Sequence, residues 1–361
     1  MSAASQPVPV AQASIPRPLQ LALFFVGALW LVASNRAASF LSQDIVTYLN
    51  FPVMQPLLEQ LLLLVFLLWG FSLLSWTSTR SGKVRVVNAL PRRTTSRQEW
   101  QRGAALGWAM LLVVVLPMML VGDLHPGLWL QPRAWMMELL LLATLAVSTL
   151  TLEVAYRGYL FSRLIAAFHP VAATILFAVI YAIVFGFHDN ATIWNTLVAF
   201  LMGILLSIAY LRTHALWLGW GLHFAWLASM GLLFGLPVSG DTFFNSLVTT
   251  NVSGHAWFTG GSYGPEGAFL TPIILLAAIP VLYRITRDYA WDYTHAPIVA
   301  AAYAVVVAPP AAHTAMEAAA APAPLVQILG ATPTSASTLP VIEEHLRAAS
   351  SSPASPGKSS E

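Results

Sequence analysis

The feature that most constrains this chain is that its apolar residues come in blocks long enough to cross a bilayer. A helix needs about 20 mostly apolar residues to span a hydrocarbon layer of roughly 30 Å. Eight stretches approach that length, at about 19–35, 57–76, 104–122, 136–156, 170–187, 194–211, 214–236 and 268–285. The third (AALGWAMLLVVVLPMMLVG) and the sixth (WNTLVAFLMGILLSIAYL) are the clearest. The fourth is unusual, because its apolar run from Met136 continues past Glu153 and Arg157 to about Ile165. Soluble domains carry roughly 25% charged residues, whereas 9% of these 361 residues are charged and 57% are hydrophobic. So few charges cannot cover a water-soluble surface, and the expected fold is all-α, a polytopic membrane helix bundle of about eight transmembrane helices.

Orientation follows from which loops hold the basic residues, since Lys and Arg collect on the cytoplasmic side. With a cytoplasmic N-terminus, 15 of the 17 Lys and Arg fall inside, leaving only Arg36 and Arg133 outside. The expectation is an integral protein of the cytoplasmic (inner) membrane with both termini cytoplasmic. The expected organisation is a disordered Pro- and Ala-rich N-terminus over 1–18, an uncleaved eight-helix membrane domain over 19–289, and a disordered Ala/Pro/Ser-rich cytoplasmic tail over 290–361. The loop at about 237–267, which contains GGSYGPEG, either folds over the outer mouth or is a mobile connection. A net charge of +2 leaves no basic footprint for nucleic acid, and the absence of cysteine excludes disulfides, thiol nucleophiles and Cys-ligated metals. The expected partners are membrane lipid and a membrane-proximal peptide or protein substrate; the oligomeric state is not legible.

An ionisable group inside a span costs about 2.5 to 3.5 kcal/mol on insertion scales, so each one points to function. They are Glu59, Glu138, the Glu153 and Arg157 pair, His188 at the end of the fifth stretch and His223 in the seventh. Glu153 and Arg157 are four apart and share a helix face, with the glutamate on the favourable N-terminal side. Taken singly, each has a plainer reading: a neutralised pair near a helix end, an interfacial His188 beside Asp189 and Asn190, a hydrogen-bonded buried His223. Together, one Glu and two His form the ligand set of one class of catalytic zinc site. The same set also works without metal, with the Glu as general base on a water and the histidines stabilising an oxyanion. A divalent metal such as zinc, if bound, would take Glu153, His188 and His223.

The residues also resemble a known family. TLEVAYRGYLFSRL looks like the E-E-x-x-x-R segment of the CPBP family of CAAX prenyl endopeptidases and bacteriocin-processing (Abi) proteins, VFGFH at 184–188 like its F-x-x-x-H element, and ALWLGWGLHFAWLAS at 215–229 like its H-x-x-x-N element. Order and spacing agree, over a core of about 136–236. The resemblance implies a CPBP-type intramembrane endopeptidase with Glu153, Arg157, His188 and His223 as the retained site residues. Glu153 would be the acid or base, the histidines would stabilise charge or hold a metal, and Arg157 would orient Glu153.

The departures are as informative. The first Glu of the family's pair, its presumed water-activating base, is Leu152 here; Leu227 stands at the family's Asn, and Phe185 lies three residues before His188 with Val184 at four. Neighbours on a helix point about 100° apart, so Glu153 takes over the aim of a carboxylate at 152 only if the helix rotates or shifts register. Depth raises a second condition. The topology sets Arg157 near the cytoplasmic side and His188 towards the outside, unless the long fourth helix carries Glu153 to mid-membrane or the fifth span sits deeper. Leu152 and Leu227 also leave open a non-catalytic relative that binds a peptide or partner protein, in an immunity or scaffold role. A small-solute transporter is the third class, although no internal repeat supports it.

Overall fold

The computed structural model describes residues 16–78, 90–91, 93–121, 123–187, 192–243 and 247–288. Of the disordered segments expected over 1–18 and 290–361, residues 1–15 and 290–361 lie outside these residues, as does His188, while Arg17 and Pro18 already belong to the first helix.

Each of the eight stretches forms a helix. They are α1 (Arg17–Leu49), α2 (Gln55–Ser78), α3 (Ser96–Val121), α4 (Pro132–Glu153) continued through a π-helical turn (Val154–Leu160) into α5 (Phe161–Ala167), α6 (Pro170–Gly186), α7 (Ile193–Thr213), α8 (Trp217–Ala228) with a second π-helical turn (Ser229–Leu233), and, after the short α9 (Ala256–Thr259), α10 (Leu270–Ile285). Among the described residues, five runs are long and apolar enough to cross a membrane, and α6 and α10 are shorter apolar helices. Prolines open α1, α4 and α6, where a missing N–H costs nothing. Asn50, left-handed at φ 51°, closes α1 with its N–H turned back on the carbonyls of Val46 and Thr47. Side chains such as Phe25, Leu29, Phe40, Trp69, Met136 and Leu139 are exposed around the bundle, an apolar surface suited to lipid rather than water. The chain is a helical membrane bundle.

Two apolar cores fill the interior. One joins α3, α7, α8 and α10 through residues such as Met110, Leu111, Leu205, Leu222 and Trp226. The other joins α1, α2, α5 and α6 through Leu67, Phe71, Phe161 and Phe177, with Tyr159 stacked on Phe71. Leu141 and Leu145 of α4 belong to the first core and Val154 and Tyr159 to the second, so this long helix changes cores at Glu153.

The first core depends on glycine. Cβ atoms added at Gly103 and Gly107 would stand 2.1 and 2.2 Å from the carbonyl oxygens of Leu218 and Leu222, and one at Gly221 would stand 2.2 Å from that of Trp100. The backbones of α3 and α8 therefore touch with no side chain between them, the small-xxx-small contact of membrane helices. With Gly221 turned to α3, His223 two residues later is left to face α4.

Sequence patterning did not anticipate a two-stranded antiparallel ribbon. β1 (Leu124–Leu128), after α3, pairs with β2 (Val248–Val252) in register Leu124 to Val252. Glu138 of α4 accepts from the N–H of Leu247 at 3.3 Å, and Thr250 N–H reaches the carbonyl of Gly235. The segment after α8 is thus tied to α4 at Leu247 and to the segment after α3 through the ribbon.

Candidate functional site

At the junction of the two cores, Arg157 Nη1 donates to Glu153 Oε1 at 3.0 Å, and His223 Nδ1 lies 3.1 Å from the same oxygen. Glu153 and Arg157 are fully buried and His223 is 4% exposed. A buried ion pair needs good geometry and further hydrogen bonds to offset its desolvation, and His223 supplies one from a different helix. Arg157 also stacks on the Tyr181 ring, 5.1 Å from its centroid. Glu153 Oε2 points at Gly219, where an added Cβ would come within 3.0 Å. The glycine lets α8 close over the carboxylate. Two π-helical turns, a form that recurs at functional sites, directly follow Glu153 and the helix that carries His223.

His223 borders a cavity of about 50 Å³, space for a few waters. Around it stand Leu152, Tyr181, Phe185, Asn195, Val198, Ala199, Met202, Leu227, Ser239, Tyr263 and Glu266. Leu152 is on the wall and Glu153 is behind His223, as their 100° separation requires. The helix does shift register, but through the π turn that begins at Val154, after Glu153. The shift re-aims Arg157 and leaves the carboxylate where it was. Leu227, one helical turn beyond His223, is also on the wall.

Three wall residues come from the segment after α8. Glu266, on a 3₁₀ turn (Pro265–Gly267), accepts from Trp226 Nε1 at 3.1 Å and from Ser239 Oγ at 2.6 Å. Burial, and then the charge of Glu266, push the Tyr263 phenol up, while hydrogen bonds with Asn195 and Ser239 oppose the rise; it remains a neutral hydrogen-bonding group. Asn195 is buried, and its carbonyl accepts from Thr192 Oγ1. None of these was singled out from sequence. Glu266 escaped because it lies outside the spans, where a carboxylate raises no alarm. Only its place in GPEG, ahead of the last span, drew attention to it.

His188 lies outside the described residues, so the structure brings together three of the four expected site residues. The α6 helix that leads to it does reach the site, since Tyr181 and Phe185 share the cavity with Leu152. That meets the depth condition for α6 itself. Among the described residues no group of three or more His, Asp and Glu side chains could hold a metal. Glu153 and His223 do not fit one as a pair. The carboxylate oxygen that would ligate already takes a guanidinium and an imidazole nitrogen, and the Arg157 cation stands where a metal ion would be repelled.

Residues 134–229 match the family model described as type II CAAX prenyl endopeptidase Rce1-like. The match is consistent with the CPBP family. It holds Glu153, Arg157, Phe185 and His223, and covers about a quarter of the chain. No curated protein and no solved structure matches the chain. The matched segment ends at Ser229, before Ser239, Tyr263 and Glu266. The chain is a CAAX protease-like membrane protein whose cavity is completed by residues beyond the matched region.

Proposed function

We propose that the chain is a CPBP-type intramembrane endopeptidase that hydrolyses a peptide bond in this cavity. The observation that carries the reading is the buried Glu153 and Arg157 pair, hydrogen-bonded across helices to a histidine that borders a water-sized cavity. Glu153 engages Nδ1 of His223, which leaves Nε2 as the ring nitrogen free for the cavity. With its proton on Nε2, the ring presents a donor for the oxyanion that forms when water adds to a carbonyl. Arg157 holds Glu153 aimed at His223. Glu153 acts through His223, and both it and Arg157 are positioning residues. The substrate is a membrane-proximal peptide or protein end, approached with both termini of the enzyme on the cytoplasmic face.

A second reading, a non-catalytic relative that binds a peptide or partner protein, draws on Leu152 and Leu227, which put two leucines on the cavity wall where the family carries Glu and Asn. Peptide cleavage in liposomes separates the two. The endopeptidase reading expects cleavage by the wild type and a loss of about 100-fold to 10,000-fold in His223→Ala with unchanged melting. A folded wild type that leaves a broad peptide library uncut would move the assignment to the binding protein.

A further inference from the structure

Water attack needs a proton acceptor at the cavity wall, and Glu153 is not on the wall. Its Oε1 is engaged by Arg157 and His223, and its Oε2 is buried against Gly219. Of the described residues that line the cavity, Glu266 is the one carboxylate.

Its placement is that of a held acceptor. One oxygen takes the Trp226 indole N–H, a group that only donates, and the other takes the Ser239 hydroxyl. Each oxygen keeps a further lone pair. Trp226 follows His223 by three residues on α8, about 4.5 Å along the axis, so carboxylate and imidazole address one small space from neighbouring turns. The turn that presents Glu266 is closely built. Gly264 is left-handed at φ 93°, with Pro237 O only 2.1 Å from where its Cβ would be, and Thr271 Oγ1 donates to the Pro265 carbonyl.

We infer that Glu266 is a catalytic residue, the base that takes the proton of the attacking water in place of the matched segment's own glutamate. The inference rests on the endopeptidase reading. Glu266 removes one proton as the water oxygen bonds to the peptide carbonyl carbon, and the carbonyl oxygen becomes an oxyanion facing His223. Collapse of the intermediate breaks the C–N bond, and the proton on Glu266 passes to the departing nitrogen. Peptide and water give a carboxylic acid and an amine, with no other reactant.

The test uses the full chain in liposomes with a quenched-fluorescent peptide library, comparing wild type, Glu266→Gln, His223→Ala, Leu152→Glu and the Leu152→Glu/Glu266→Gln double variant. Glutamine keeps an acceptor for Trp226, and Ser239 can turn its hydroxyl to accept, so a purely structural Glu266 would tolerate the change. The expected result is a fall in kcat of about 100-fold to 10,000-fold in Glu266→Gln, with KM and melting temperature little changed. A carboxylate at 152 faces the same cavity, and recovery of at least about tenfold in the double variant marks the loss as that of a proton acceptor, even if Glu266→Gln proves less stable. Wild-type rates in Glu266→Gln beside an inactive His223→Ala would overturn the inference and leave the endopeptidase reading standing. Inactivity of the wild type and of every variant alike, with the protein folded, would overturn both.

Discussion

Around the cavity, the wall built from the matched segment carries two leucines, Leu152 and Leu227, among its polar His223, Asn195 and Tyr181. The wall built from beyond that segment is polar at all three of its positions, Ser239, Tyr263 and Glu266. The first wall also has its charges behind it: Glu153 and Arg157 are fully buried and engage each other. The second presents its charge to the space itself. The polar groups of the matched segment thus serve partly as support behind the wall, while a further polar face of the cavity is supplied by another part of the chain.

Three substitutions break or sharpen this contrast. Arg157→Met strands the Glu153 charge in the interior and should cost about 3 to 5 kcal/mol of stability, whereas removing both charges in Glu153→Leu/Arg157→Met should recover most of it. Thermal or denaturant unfolding in detergent reads both, and an Arg157→Met protein as stable as wild type would mean the pair is not the support described. Gly107→Val forces a side chain against the Leu222 carbonyl, 2.2 Å from its Cβ position. Overpacking of this kind costs about 1 to 3 kcal/mol, and cleavage should fall too, because the displaced backbone carries His223; a drop in stability alone would detach the α3–α8 contact from the site. Ser239→Ala touches only the second wall. Loss of one hydrogen bond to Glu266, worth about 1 kcal/mol, should lower kcat roughly fivefold at an unchanged melting temperature, and no change in rate would leave Trp226 as the sole anchor.

Much of this was legible in the amino-acid order. Span-length apolar runs marked all eight helices, because in lipid the backbone must satisfy its own hydrogen bonds. Their ends were less legible, since an apolar run measures the part that suits lipid while a helix runs on to its cap: α1 was expected to stop near residue 35 and continues to Leu49, where Asn50 turns left-handed. The cost of intramembrane charge picked out Glu153, Arg157 and His223, which do meet. The same rule passed over Glu266, which is brought to the cavity by the fold of its loop. The ribbon was invisible for a different reason. LHPGL contains a proline and a glycine, poor residues for a strand, and its partner lies more than 100 residues away.

That ribbon also counts membrane crossings. Its strands can pair only if both emerge on the same face, so the chain between Leu128 and Val248 must cross an even number of times. The helical runs between them are four: α4 with α5, α6, α7 and α8. At 1.5 Å per residue the 17-residue α6 is about 25 Å long, short for a hydrocarbon layer of roughly 30 Å. It nevertheless cannot turn back by itself, because a single re-entrant helix would leave the two halves of the ladder on opposite sides of the bilayer.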